Sequence, residues 1–237
     1  MPIYRIADLN VEVNPKFKIC RKRLESYAVK SNESGKTDIA ISVSDDEIRE
    51  RLRLADNLSE QGAEDVLILS KFCNAVLDGY DGFFFHSSCL ELDGECYVFS
   101  AVSGTGKSTH TALWRRHFGN RVTMINDDKP VIRKCDGKFY AYGTPWMGKA
   151  DIGTNTKAPV KAVYILQRAE ENTAGRVVPS QVMKQVLEAT VIDVERSRME
   201  KLLELLDEFF KETPLFLLGC NMDESAVMTA YNAANGG

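Results

Sequence analysis

Histidine and tryptophan are scarce in this chain, with three and two copies among 237 residues. No cysteines are spaced as CxxC, and no histidine lies at ligand spacing from a cysteine, which argues against a zinc site. The six cysteines, Cys20, Cys73, Cys89, Cys96, Cys135 and Cys220, read as reduced, mostly buried thiols. A chain of this length needs no disulfide staples, so a cytosolic protein is expected. There is no basic excess either. The formal net charge is -4, and nucleic acid is excluded as a partner because nothing would neutralise its phosphates. No apolar run nears the length that spans a bilayer, so no membrane partner is expected. The opening MPIYRIADLN carries charge where a signal peptide needs an apolar segment.

What is present suits a folded protein. Hydrophobic residues make up 44% and charged residues 27%, enough to bury a core. The length fits one large domain or a domain with a small appendage. No internal repeat occurs. Residues 1 to 80 read as a small α+β region. In it IYRIADLNVEV, KFKICRK and DIAISVS are expected as strands, with a polar turn at SNESGKT. SDDEIRERLRLAD reads as a helix capped by Ser44. AEDVLILSKFCNAVLDGY places Val66, Leu69, Phe72, Cys73, Val76 and Leu77 at the spacing of a core helix.

Residues 81 to 237 read as the catalytic part. GFFFHSSCLEL and CYVFSAV form a hairpin about Asp93 and Gly94. STHTALWRRHFG follows as a helix ending at Gly119, and RVTMINDD as a strand ending in two acids. PVIRKCDGKFYAYGTPW is a second Asp-Gly hairpin, and VKAVYILQRAEE a buried strand. Pro179 and Ser180 open a helical tail, expected to break near residue 190. PLFLLGC then reads as a short strand and DESAVMTAYNAA as a closing helix.

Between strand and helix lies FSAVSGTGKSTHT. It fits the phosphate-loop pattern G-x-x-x-x-G-K-[ST] except that Ala101 replaces the first glycine. Such a loop needs backbone N–H groups converging on an anion, a helix N-terminus behind them, a lysine and a metal-binding hydroxyl. Ser103, Gly104, Thr105 and Gly106 supply the cradle. Lys107 pairs with β- and γ-phosphates and Ser108 takes the metal, with Thr109 next in line. A site for a nucleotide's phosphates and Mg²⁺ is expected. The loop strand is the second arm of a tight hairpin, and a hairpin follows the acids. Both features argue against the parallel sheet of an ordinary P-loop NTPase.

Asp127 and Asp128 sit where phosphoryl transfer to a hydroxyl needs a metal ligand and a proton acceptor. Repulsion between neighbouring carboxylates is expected to raise the pKa of one of them, as suits a base. His86, on a strand beside the loop strand, either faces these acids or is a buried histidine with its own hydrogen bond.

Together these residues resemble the HPr kinase/phosphorylase and phosphoenolpyruvate carboxykinase superfamily over residues 83 to 168. There a histidine precedes a hairpin, the loop reads S-G-x-G-K-[ST], and an Asp-Asp pair follows. The resemblance is strongest to small stand-alone HPr kinase-like proteins, some of which phosphorylate a serine of a ribosomal peptide precursor. It implies a mixed α/β sheet with antiparallel hairpins and a helical C-terminal part. It also implies ATP, Mg²⁺, a metal or proton role for Asp127, a base role for Asp128, and tuning of that base by His86. The family's signature after the acids is replaced by YGTPWMGKADIGTNTKAP, so HPr is not the expected acceptor. Trp146 and Lys149 in this stretch either shape or bind the acceptor or belong to a structured turn with a packed Trp, and Arg168 either reaches the γ-phosphate or is a solvated strand end.

The reading is a kinase acting on a hydroxyl, serine foremost, of a peptide or small molecule. A nucleotide-binding regulator without turnover and a carboxykinase-like enzyme are the alternatives. The oligomeric state is left open, a homo-oligomer included.

Overall fold

The computed structural model describes residues 1–30, 35–190 and 196–236. The first stretch is not one strand but a hairpin, β1 (Ile3–Ile6) and β2 (Leu9–Val13), paired antiparallel. Ala7 and Asp8 turn it with φ of 52° and 62°. Two successive positive φ values match the twist of the flanking strands, and a turn built without glycine left no signal. KFKICRK is likewise not a strand. It falls in a helix, α1 (Lys18–Leu24), whose buried Cys20 and Leu24 lie four residues apart, one helical turn. The expected turn at SNESGKT falls partly on residues 31–34, outside the described residues.

β3 (Ile39–Ile41) joins β2 in parallel. α2 (Asp45–Arg53) opens with a capping box. The Glu47 N–H donates to Ser44 Oγ at 3.2 Å, and the Ser44 N–H donates to Glu47 Oε2 at 2.8 Å. α3 (Glu60–Gly79) packs Ile68, Leu69, Phe72 and Val76 against the small sheet. The same apolar cluster takes in Val131, Tyr142 and Trp146. The region before residue 80 therefore shares a core with the region after it.

The remaining elements are β4 (Gly82–Phe84), β5 (Ser88–Leu92), β6 (Glu95–Ser100), α4 (Lys107–Phe118), β7 (Val122–Asn126), β8 (Val131–Cys135), β9 (Lys138–Tyr142), β10 (Lys157–Arg168), β11 (Thr173–Arg176), α5 (Pro179–Thr190), α6 (Arg196–Glu212), β12 (Leu215–Cys220) and α7 (Ser225–Asn235). The expected break near residue 190 falls on 191–195, outside the described residues. β11 is a strand beyond those expected, formed by the short polar stretch Thr-Ala-Gly-Arg. Among the described residues the strands from β4 onward form one mixed sheet in the order β4-β8-β9-β10-β6-β5-β7, with β12 on β10 and β11 on β12. β6, which feeds the phosphate loop, is antiparallel to β5 and parallel to β10. The class is α/β with a mixed sheet, as expected.

Period-two burial fixes the layers. Tyr97 and Phe99 of β6 and Tyr164 and Leu166 of β10 face α4 and α7. Val98, Val163 and Ile165 face α5 and α6 on the other side. β10 changes partners along its length. Lys157–Pro159 pair antiparallel with β9, and later residues pair parallel with β6 and β12. The sheet thus has two halves, β4-β8-β9 and β7-β5-β6-β10-β12-β11. The chain crosses between them at residues 85–87, at 127–130, and along β10. No helix among the described residues is long and apolar enough to cross a membrane.

Candidate active site

The phosphate-loop candidate leaves β6 at Ser100 and enters α4 at Lys107, with Gly106 as N-cap. Gly104 and Gly106 have φ of 80° and 123°, and a Cβ on either would meet no atom within 4 Å. The backbone needs glycine there, and its outer face is open. Ala101 is not among the positive-φ residues, and its methyl packs beside the cluster holding Phe99 and Trp114. Glycine's conformational freedom is therefore not required at this position. The loop is closed by a bond from Thr105 N–H to the Val102 carbonyl at 3.1 Å. Lys107 Nζ donates to the Ala101 carbonyl at 3.2 Å. Burial depresses the Lys107 pKa and the nearby Lys129 charge adds to this, while Asp128 opposes it.

The acids follow β7 in a tight turn. Asn126, fully buried, accepts from the N–H groups of Asp128 at 2.8 Å and Lys129 at 2.6 Å. Its amide donates to the Thr144 carbonyl at 3.0 Å. Thr144 Oγ1 in turn donates to the Lys129 carbonyl at 2.6 Å. This Asx-type turn points the two carboxylates different ways. Asp127 Oδ1 accepts from Gly148 N–H at 2.7 Å. A Cβ on Gly148 would lie 3.2 Å from both Asp127 Oδ2 and Asp128 Cβ, so glycine lets this loop close over the acids. Asp128 Oδ1 lies 2.9 Å from His86 Nε2, and Lys129 pairs with Asp128 Oδ2.

The expected rise in carboxylate pKa is corrected here for Asp128. Burial does push its pKa up, but hydrogen bonds from His86 and Lys129, with their charges, outweigh burial and hold it well below the usual carboxylate range. Cationic neighbours, absent from the argument about the acid pair alone, decide the sign.

One cleft of about 570 Å³ gathers His86, Ser103, Gly104, Thr105, Gly106, Lys107, Ser108, Thr109, Asp127, Asp128 and Lys149. Three candidate residues have distinct placements. His86 lies not on a strand but in the crossing between β4 and β5, where its N–H donates to the Ala189 carbonyl at 2.7 Å. Trp146 does not line the cleft. It is 2% exposed, stacks on Phe72 at 5.6 Å and donates from Nε1 to Asp65 Oδ1 at 3.2 Å, supporting the loop from behind. Arg168 reaches the loop backbone, donating to the Gly104 carbonyl at 2.7 Å, and is not a lining residue.

Sequence reasoning overlooked Lys129, Asn126, Thr144 and Gly148. The run Asn-Asp-Asp-Lys before Pro130 carries an Asx-turn signal for Asn126 and Lys129. Nothing local marks Thr144 or Gly148, whose contacts are long-range.

No protein-family model and no curated protein sequence matches the chain. Among solved structures, the Hpr(Ser) kinase/phosphatase from Coxiella burnetii is similar at a TM-score of 0.38 and 11% identity, over 65% of this chain and 93% of that one.

Proposed function

We propose that the chain is an ATP- and Mg²⁺-dependent phosphotransferase, an HPr kinase-like enzyme that phosphorylates a hydroxyl, serine foremost, of a peptide or small molecule. The observation that carries this is the facing of an open, glycine-turned loop and its Lys107 against Asp127 and Asp128 within one cleft.

The donor set fits the cofactors. Positive-φ glycines before a helix N-terminus suit polyphosphate. Ser108 and Asp127 are hard oxygen donors suited to Mg²⁺, which takes its other ligands from phosphates and water rather than from an all-protein cage. Bound Mg²⁺ would neutralise phosphate charge.

The protein's own part is positioning. Lys107 attracts the terminal phosphates, and the loop N–H groups orient them. Asp128 accepts a hydrogen bond from the acceptor hydroxyl. As the new O–P bond forms, the bond from the γ-phosphorus to its bridging oxygen breaks, ADP leaves with that electron pair, and the hydroxyl proton passes to Asp128. A carboxylate of low pKa suits a loose transition state, in which the proton leaves late and orientation matters more than basicity. His86 holds the other side of that carboxylate.

The test is nucleotide binding followed by transfer. ATP with Mg²⁺ should raise the melting temperature of the full chain, and radiolabelled γ-phosphate should appear on a serine-containing peptide mixture. Equal melting temperatures with and without nucleotide would refute the loop assignment.

A further inference from the structure

The loop carrying Gly148 has two faces. Gly148, Lys149 and Ala150 line the phosphate cleft. Pro145, Met147, Asp151 and Gly153 line a second cavity of about 330 Å³ on the other side. Its far wall is α1, through Ile19, Lys22, Arg23 and the adjoining Ser26. A third hollow, of about 150 Å³, continues past Ile19 and Arg23 to Gln61 and Gly62 at the start of α3. The two hollows form a groove divided from the phosphate cleft by a single chain segment.

The groove has a charge sign. Residues 16–23 hold Lys16, Lys18, Arg21, Lys22 and Arg23 and no acid, in a protein of net charge -4. Some of this charge is internally matched. Lys16 pairs with Asp45, Arg21 donates to the carbonyls of Pro15 and Lys16, and Arg23 Nε lies 3.4 Å from Asp65 Oδ1. Lys18 and Lys22 form no ion pair among the described residues. Lys149, on the cleft face of the dividing loop, forms none either. Cations therefore stand on both sides of the partition; Asp151 is the one acid lining the second cavity, and Asp65, which pairs with Arg23, the one lining the third hollow. Ile19, 48% exposed, offers an apolar contact in the middle of the groove.

The groove is also tied to the acids. Asp65 receives both Arg23 and the indole N–H of Trp146. Trp146 precedes Gly148 by two residues, and the Gly148 N–H holds Asp127. Arg23 and the Gly148 loop thus share Asp65 as an anchor.

We infer that the groove between α1 and the 145–153 loop is the docking site for an acidic peptide segment of the phosphate acceptor, with Lys22 and Arg23 reading its carboxylates and Ile19 its apolar side chain. This rests on the phosphotransferase reading for its purpose, not for its physics. Charge complementarity would bring the segment in and set its register, as rim charges do. The hydroxyl to be phosphorylated would lie across the dividing loop, at Asp128.

The probe is a fluorescein-labelled peptide of about ten residues, glutamate-rich with one serine and one leucine, titrated with the full chain by fluorescence anisotropy. A lysine-rich peptide and a single-stranded oligonucleotide of similar length serve as comparisons. The acidic peptide should bind, and binding should weaken with salt. Lys22→Glu should weaken it about tenfold or more by replacing attraction with like-charge repulsion, and Lys22→Arg should restore it. Failure of the acidic peptide to bind, indifference to Lys22→Glu, or equal binding of the oligonucleotide would each overturn the inference. Thermal stabilisation by ATP and Mg²⁺, measured on the same samples, confirms the fold and separates the two readings. If it persists while the peptide fails to bind, docking alone is wrong. If the peptide binds and nucleotide does not stabilise the chain, the phosphotransferase reading is wrong.

Discussion

His86 Nε2 stands 2.9 Å from one oxygen of Asp128 while the ammonium of Lys129 holds the other. The carboxylate is thus engaged at both ends by groups from different parts of the chain. Its orientation is set by the chain itself, which is the positioning that the proposed transfer requires of it.

Asp128→Asn should leave ATP binding near the wild-type value and slow transfer by about 10²–10⁴-fold, the usual range for loss of proton transfer. Asp127→Asn should instead raise the Mg²⁺ concentration needed for half-maximal rate. The two variants are compared by nucleotide titration and by transfer at varied Mg²⁺. Full turnover by Asp128→Asn removes it from the chemistry.

Lys107→Ala should remove most of the thermal stabilisation by nucleotide. At a ligand concentration about 100 times Kd, wild type gains about 2.7 kcal/mol by mass action, a shift easily read by thermal scanning. An undiminished shift in the variant would mean that nucleotide binds elsewhere.

The pH dependence follows from the sign of the Asp128 shift. Its folded pKa lies below the unfolded one, so the associated stability is fully present above the unfolded carboxylate value. It is lost as pH falls toward the folded value. Lys129→Met removes one of the groups that lower the pKa. It should flatten the acid side of the stability curve and move the acid limb of the transfer rate to higher pH. Identical profiles for both proteins would show that the Lys129 contact is not formed in solution.

Gly148→Ala places a methyl 3.2 Å from Asp127 Oδ2 and Asp128 Cβ, tighter than ordinary contact. The loop must withdraw slightly from the acids. Transfer should fall while urea-unfolding stability changes by less than about 1.5 kcal/mol, in line with modest repacking. A variant with unaltered transfer would show that closure of this loop is dispensable.

Trp146→Ala should cost about 3–5 kcal/mol of stability, the loss typical of a large buried aromatic. Urea unfolding reads it directly. A small stability loss with a raised KM for the acceptor would return Trp146 to the acceptor site.

Much of the site was legible because its signals are local. The run from Ser103 to Thr109 contains its own turn glycines, lysine and hydroxyls, and Asp93 and Gly94 announce the hairpin that makes β6 antiparallel to β5. Legibility ended where contacts are long-range or chemistry is atypical. Ala7 and Asp8 form a turn that β-branched neighbours disguised as one strand. The basic run of α1 looked extended because its apolar residues are few. Trp146, set between Pro145 and Met147, read equally as an acceptor contact or a packed ring, because the partners of its ring, Phe72 and Asp65, lie far away in sequence. The Asp128 pKa had the opposite sign because Lys129 and His86 were not counted with the acid pair.

The crossings between the two halves of the large sheet carry His86 and the acid pair, and their backbone groups lie outside the strand ladders. The N–H groups of Phe85, His86 and Ser87 donate instead to the carbonyls of Pro130, Ala189 and Asp128, and that of Asp128 to Asn126 Oδ1. None of these bonds requires the side chain of His86, Asp127, Asp128 or Lys129. The backbone of the two crossings is therefore held without those side chains, although the Gly148 loop is tied to Asp127. Substitutions at His86, Asp128 and Lys129 would thus remove none of the backbone bonds that carry the chain from one half of the sheet to the other.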